Sequence, residues 1–427
     1  MANTIRKRKL GRGVAVVGAG ISKFGAFADK TSRDLFVEAF QSMRESVDQG
    51  FDPREIEALY VGNFNSELFE NQGHSAPVMA DWLGLTPRPA TRIENACASG
   101  GAALRQGILA IASGLYDLVL VGGVEKMTGL PIEQATSVLA TAGDAQYEIP
   151  AGFTFPGLYA AMATAYAAQH NLPLERLQRL LAEIAIKNHE NGALNENAQF
   201  GKTIAEVMEK AREKAIMNGS PPPGWESVYD FLADMRANPV IASPLRLFDC
   251  SPISDGAAVV LLAAEDRARA FSKNPIRIIG SGQASDGALH GRSSLTSIQS
   301  ARAAAREAYE MAQISPRDVK LAEVHDCFTI AEAIAGEDLG FFAQGEGIRA
   351  AQERITRRDG RLPLNTSGGL KAKGHPVGAS GVGQVVEVWK QMRCEAGARQ
   401  AARDIDLALT HNVSGTGQTS LVHIFER

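Results

Sequence analysis

The segment Asn95-Ala96-Cys97-Ala98-Ser99-Gly100-Gly101-Ala102-Ala103 sets a cysteine just before small residues and an apolar helical pattern reaching about Ser113. A thiol at a helix N-terminus meets the positive end of the helix dipole and unpaired backbone donors, which favour thiolate over thiol. Cys97 therefore reads as a nucleophile, with a small buried hydrophobe as the equal alternative on the residues alone. The glycine-dense stretch from Asn365 to Gly381 holds Gly374-His375-Pro376. Its composition describes a tight, irregular backbone, and a histidine with a pKa near neutrality suits a base that activates a thiol. A phosphate-cradling loop with an incidental His375 explains the same glycines, although the Gly-Lys-Ser/Thr ending of a nucleotide P-loop is missing. A third block, Glu323-Val324-His325-Asp326-Cys327-Phe328-Thr329, follows a short apolar strand, where parallel sheets open onto their ligand crevice. His325 and Cys327 are read there as catalytic, since zinc would need two further ligands at suitable spacing. The fourth block, Thr410-His411-Asn412-Val413-Ser414-Gly415-Thr416-Gly417, offers His411 and Asn412 either to the same pocket or to nearby loop carbonyls.

The elements that must position these blocks occur twice. Val14-Ala15-Val16-Val17 runs into Gly18-Ala19-Gly20, and Ile276-Arg277-Ile278-Ile279 runs into Gly280-Ser281-Gly282. A helical pattern follows each, from Thr31 to about Val47 and from Thr296 to about Met311, both opening on a threonine suited to an N-cap. Pro53-Arg54-Glu55-Ile56 then precedes a strand at Ala58 to Val61, as Pro316-Arg317-Asp318-Val319 precedes one at Leu321 to Val324. The strand Asp117 to Val121 matches Asp406 to Thr410 at a wider offset, so the second half carries extra loop residues. Alternating strands and helices predict an α/β fold with mostly parallel sheets covered on both faces, and the duplication predicts two such layers. Residues 125–244 have no counterpart in the second half; they hold a helical stretch from Leu174 to Asn188 and the breaker Pro221-Pro222-Pro223-Gly224. They are expected to form an inserted loop domain over the site, leaving 1–124 with 245–272 as the first half and 273–427 as the second.

The 427 residues carry 45% hydrophobic and 22% charged side chains and a formal net charge of −4, the balance of a globular chain with no pull on nucleic acid. The basic opening Arg6-Lys7-Arg8-Lys9 reads as a solvated tail. Cysteines at 97, 250, 327 and 394 have neither metal-ligand spacing nor disulfide density, which predicts a reducing compartment. No signal peptide, membrane span or address motif is read, so cytoplasm is the expected location and no membrane partner is expected.

Taken together, Asn-Ala-Cys97-Ala-Ser-Gly, His325-Asp326-Cys327-Phe328, Gly374-His375-Pro376 and His411-Asn412 resemble the thiolase superfamily over nearly the whole chain. The resemblance is nearest to the branch of sterol carrier protein thiolases and archaeal acetyl-CoA acetyltransferases, which has His-Asp-Cys-Phe where others have Asn-Glu-Ala-Phe. It implies two βαβαβαββ halves in five layers αβαβα with a loop domain. It also implies an acyltransferase in which Cys97 is acylated, His375 takes its proton, and His325 with a water holds the thioester oxygen. Thiolases bring a second cysteine from a Cys-x-Gly block near the C-terminus; here that place reads Asn412-Val413-Ser414, so Cys327 is the implied acid/base. Ser251 matches a serine that contacts the pantetheine arm, Gly415 is taken as a second coenzyme A contact, and Cys250 is read as structural. The resemblance further implies acyl-CoA substrates, no tightly bound cofactor or metal, at least a homodimer, and a small zinc-binding OB-fold partner. A ketoacyl-synthase-like condensing enzyme, a thiolase-like aldolase and a scaffold subunit are the rival readings.

Overall fold

The computed structural model describes residues 8–427. Its strands are β1 (Val14–Ile21), β2 (Ala58–Gly62), β3 (Ala90–Ile93), β4 (Leu118–Glu125), the short pair β5 (Val240–Ala242) and β6 (Leu245–Arg246), then β7 (Gly256–Ala264), β8 (Ile276–Ser285), β9 (Leu321–Glu323), β10 (Leu407–Ser414) and β11 (Thr419–Glu426). The hydrogen-bonded order is β3-β2-β4-β7-β1-β8-β11-β10-β9. From its middle outward the order runs first strand, last strand, fourth, second on both sides, and a parallel bridge from Ala322 to Leu364 takes the place of β3 in the second half. The duplication is thus written into the topology. The two sheets expected as separate layers join along one edge, where Val14 faces Ile278 and Val16 faces Ile276.

The sheet is mixed, against the expectation of a mostly parallel one. Only β2/β3, β2/β4 and β9/β10 run parallel. β10 and β11 form a hairpin, and β7 returns from the helical insert antiparallel to both β1 and β4, so neither pairing needs the helical crossover that parallel strands require.

The helices of the first half are α1 (Ser32–Glu45), α2 (Ser66–Glu70), α3 (Ser75–Trp82) and α4 (Ser99–Ala112). The insert supplies α5 (Ile132–Ala140), α6 (Phe155–Gln169), α7 (Leu174–Ala193), α8 (Ile204–Met217) and α9 (Val228–Ala233). Then follow α10 (Glu265–Ala268), α11 (Gln299–Ala312), α12 (Thr329–Asp338), α13 (Gly369–Lys373) and α14 (Val377–Met392). One buried core joins Leu104 and Ile108 of α4 and Val382 and Val386 of α14 to Val121 and Val260 of the first half and Ile278 and Ala408 of the second. Phe36 and Phe40 of α1 cover the outer face of the first half, and Ala304 and Ala308 of α11 cover that of the second. The result is five layers with α4 and α14 in the middle.

The paired glycine runs lie inside β1 and β8, and what they supply is room. A Cβ on Gly20 would sit 2.1 Å from the Met43 amide nitrogen of α1, and one on Gly282 would sit 1.9 Å from the Ala304 carbonyl oxygen of α11. Thr31 caps α1 in a reciprocal box with Asp34. Thr296 does not cap α11; it bonds Gln169, and the Asp338 carboxylate accepts from the Ile298 N–H and the Ser297 hydroxyl in its place. The helix expected from Leu174 to Asn188 runs on to Ala193, and the Pro221–Gly224 breaker separates α8 from α9. Of the basic opening, Arg6 and Lys7 lie outside the described residues, and Arg8 bonds Glu307 at 2.6 Å. Within the insert, Tyr159, Leu177 and Leu181 pack against Ile330, Ile334 and Leu370, so a segment that interrupts the first half covers the second.

Candidate active site

Cys97 sits in a single 3₁₀ turn, Ala96–Ala98, that leads straight into α4. The turn holds Ala96 at a left-handed φ of 44°, a conformation an alanine adopts only when its surroundings impose it. Three bonds impose it. The Glu94 carboxylate accepts from the Ala96 N–H at 2.6 Å, Ser99 Oγ accepts from the Asn95 N–H at 2.8 Å, and the Ser99 hydroxyl donates to the Ala96 carbonyl at 2.6 Å. Burial pushes the Cys97 thiol up to about 12, outweighing the pull of the Gly415 amide the other way. The sequence expectation of a thiolate stabilised by the helix start therefore fails for the resting site: desolvation of the anion wins, and the sulfur rests as a thiol.

His375 occupies the equivalent position in the second half, two residues before α14 as Cys97 is two before α4. The two helix starts meet because glycines line their crossing. A Cβ on Gly381 would lie 2.3 Å from the Gly101 amide nitrogen, and one on Gly100 would lie 2.7 Å from the Gly378 carbonyl oxygen. The Ser380 hydroxyl donates to the Pro376 carbonyl at 3.0 Å and so accepts from His375 Nδ1–H at 2.6 Å. That assignment leaves Nε2 with its lone pair free to take a proton. Burial, with the Lys373 ammonium nearby, lowers His375 to about 3, so the imidazole rests neutral.

His325 and Cys327 lie in the loop between β9 and α12. The His325 ring stands edge-on to that of His375, centroids 5.2 Å apart. Its Nδ1 accepts the Val413 N–H at 3.3 Å, which puts the hydrogen on Nε2, a buried atom without a protein partner. Burial holds this imidazole neutral too. Asn412 ties the halves together: its Nδ2 donates to the Cys97 carbonyl at 3.0 Å and its Oδ1 accepts the Gly101 N–H at 3.1 Å.

Cys97, His375, Cys327, Ser251 and Gly415 line one cavity of about 300 Å³, whose other walls include Met127, Leu139, Phe155, Ile241 and Leu247. Of the expected site residues, His325, His411 and Asn412 are not among the side chains that line it. Side chains alternate along β10, so Asn412 faces α4 while His411 turns to the other side, buried with both ring nitrogens unpartnered. Cys250 also borders the cavity, and burial pushes it up to about 12. Among the described residues no group of three His, Cys, Asp or Glu side chains is placed to hold a metal, and no helix is long and apolar enough to cross a membrane.

Comparison with known proteins decides what this arrangement belongs to. The family described as Thiolase, N-terminal domain matches residues 14–266, and Thiolase C-terminal domain-like matches residues 281–427. The chain belongs to the thiolase family. It is 44% identical over 417 residues to the acetyl-CoA acetyltransferase of Methanothermobacter thermautotrophicus, covering 97% of this chain and 100% of that one. Sterol carrier protein 2 of Bos taurus is 29% identical over 97% of this chain and 72% of its own length. A solved structure described as Ltp2-ChsH2(DUF35) aldolase shares the fold with a TM-score of 0.77 and 21% identity, covering 97% of this chain and 98% of that one. With both family domains present and so near a relative matched end to end, this thiolase is an acyltransferase.

Three residues at or around this candidate site escaped the sequence reading. Tyr159 of α6 reaches the cavity and donates its hydroxyl to the Gly415 carbonyl at 3.0 Å, yet in sequence it is one aromatic in an apolar helix. Glu125 ends β4, accepts the Phe64, Asn65 and Gly378 N–H groups, and so fixes the first turn of the His375 helix; burial raises it to about 7. Asp326 accepts the Leu370 N–H at 2.6 Å and Asn188 Nδ2 at 2.8 Å, which locks the His325 loop to the segment leading to His375. Burial and the neighbouring Glu332 push its carboxyl up. Only Asp326 stood inside a quoted block, and nothing in its spacing named the partners.

Proposed function

We propose that this thiolase cleaves or forms 3-oxoacyl-CoA through an acyl group carried on Cys97. The observation that supports it is the meeting of a thiol and an unprotonated imidazole nitrogen in one cavity, each placed by the same helix start of the two halves. In the degradative direction His375 Nε2 takes the Cys97 proton as the sulfur attacks the 3-oxo carbon, and His325 Nε2–H meets the oxygen that becomes negative. The carbon–carbon bond then breaks, leaving the acyl group on Cys97 and an acetyl-CoA enolate that Cys327 protonates. A second coenzyme A gives its thiol proton to the Cys327 thiolate as its sulfur attacks the acyl-cysteine, and His375 returns its proton to the departing Cys97 sulfur, so all three groups end as they began. Synthesis reverses these steps.

Coenzyme A thioesters enter as substrates past Ser251 and Gly415, and the chemistry uses no metal or tightly held cofactor. The same reading takes residues 125–244 as a loop domain between two thiolase halves, a homodimer as the working form and the cytoplasm as its place. The solved aldolase carries a second component in its name, which supports a small zinc-binding OB-fold partner here; co-purification from the native source tests it. Incubation with acetyl-CoA followed by mass spectrometry tests the central claim. An adduct on Cys97 is expected, absent in Cys97→Ala and slower by about 10²–10⁴-fold in His375→Ala. Lack of an adduct on the wild-type chain rejects the acyl-enzyme and leaves the aldolase or scaffold readings.

A further inference from the structure

A buried thiol gives up its proton reluctantly and so is seldom the thiolate that can act as a base, and burial drives Cys327 well above the ordinary cysteine range. The groups facing it make matters worse, because the Cys97 sulfur and the Asp326 carboxylate both oppose a second negative charge. Two neighbours pull the other way, the hydroxyl of Tyr159, a side chain that lines the same cavity as Cys327, and the Phe328 amide. The phenol is held firmly. Tyr159 is 1% exposed, its ring stacks on Phe328 with centroids 4.6 Å apart, and its hydroxyl bonds the Gly415 carbonyl at 3.0 Å. Arg292, bonded to the Thr416 carbonyl at 2.6 Å, adds positive charge behind it.

We propose that Tyr159 is a positioning residue that makes Cys327 competent to move the substrate α-proton. Its one hydroxyl hydrogen goes to the Gly415 carbonyl in the structure, and the Cys327 sulfur in the same cavity is the second acceptor it would turn to. While Cys327 is a thiolate the hydroxyl turns to donate to it. When the α-proton has moved from carbon to sulfur, leaving the enolate, the new S–H donates to the Tyr159 oxygen and the hydroxyl hydrogen returns to the Gly415 carbonyl. Tyr159 gains and loses no proton in the cycle; it rotates. Because Gly415 lines the cavity beside Cys97 as well as accepting from Tyr159, the tyrosine links the acid/base to the nucleophile through one residue of the β10–β11 hairpin. The inference rests on the thiolase reading and on Cys327 as its acid/base.

The test compares wild type, Tyr159→Phe, Cys327→Ala and the double variant in two assays: formation of the Cys97 adduct from acetyl-CoA, and exchange of the acetyl-CoA α-protons with D₂O across pH. Phenylalanine keeps the stacked ring and removes only the oxygen. Exchange relative to adduct formation is expected to fall about 10- to 100-fold in Tyr159→Phe, the size of a hydrogen bond to a charged group. The alkaline midpoint of exchange should move up, and Tyr159→Phe should add nothing in the Cys327→Ala background. Equal losses in both assays, unchanged exchange, or a further loss in the Cys327→Ala background overturns the proposal. A wild-type chain that forms no adduct overturns the thiolase reading itself, an outcome visible before Tyr159 is touched.

Discussion

At the scale of single residues, the site is two neutral groups that become an ion pair only during reaction. Cys97 is raised to about 12 and His375 lowered to about 3, both by burial, so at neutral pH neither the thiolate nor the imidazolium is populated before substrate arrives. Far below the thiol pKa, each unit of pH raises the thiolate fraction about tenfold. Alkylation of Cys97 by iodoacetamide should therefore climb steadily from pH 7 to pH 9 without levelling, and His375→Ala should leave the slope unchanged. A plateau with its midpoint between pH 6 and 8 would mean that a preformed thiolate–imidazolium pair exists. The sequence disclosed these two residues because cysteine and histidine are rare and stood in unusual loops. It could not disclose their charge state, which depends on how much water the folded chain excludes. Tyr159 stayed hidden for a related reason, since its partners are a hairpin carbonyl and a thiol contributed by the other half.

At the scale of elements, the crossing of α4 and α14 brings the two residues together, and its closeness is set by missing side chains. Gly381→Ala would place a methyl group 2.3 Å from the Gly101 amide nitrogen and from Asn412 Oδ1, so the helices must part or the Asn412 bridge must break. Overpacking of this kind costs about 1–3 kcal/mol. A lowered urea midpoint with slowed Cys97 acylation is expected, while Gly224→Ala, with nothing within 4 Å of the new Cβ, should change neither. Equal behaviour of the two variants would remove the crossing from the account of the site. Repeated strands, repeated Pro-Arg blocks and the Thr31 cap made much of this architecture legible, because hydrophobic period and capping are local. The Thr296 cap failed for want of locality: the group at the start of α11 is Asp338, at the end of another helix. The antiparallel pairings of β7 were equally out of reach, since which strands neighbour one another is decided after both halves have packed.

At the scale of the whole molecule, burial of titratable groups sets how the fold responds to acid. His189 in α7, His375 before α14, His411 in β10 and His423 in β11 are each lowered to about 3 by burial, and His325 is lowered well below its ordinary value. A histidine whose folded pKa is depressed favours the native state above its unfolded value of about 6.5, and that contribution is lost as pH falls toward 3. Glu125, raised to about 7, and Asp338, raised to about 6, act oppositely: protonated only in the folded chain, they gain stability as pH falls toward the unfolded carboxylate range. The two sets oppose one another between pH 6.5 and about 4.5, and below about 4.5 the raised carboxylates are protonated in both states, while the imidazoles act together with carboxylates held low by their partners, such as Asp117 beside Arg12 and Arg267. Stability should hold nearly level from pH 7 to 5 and then drop steeply. The unfolding should be a single transition, because one core spans both halves and contains Trp389 as its reporter. His411 offers the cleanest check, as it is buried with neither ring nitrogen bonded and stands outside the cavity. His411→Leu removes an imidazole that must be forced neutral, so the acid midpoint, followed by Trp389 fluorescence, should move to lower pH while Cys97 acylation at neutral pH is kept. An unmoved midpoint would show that this imidazole titrates alike in folded and unfolded chains, and lost acylation would return His411 to the site.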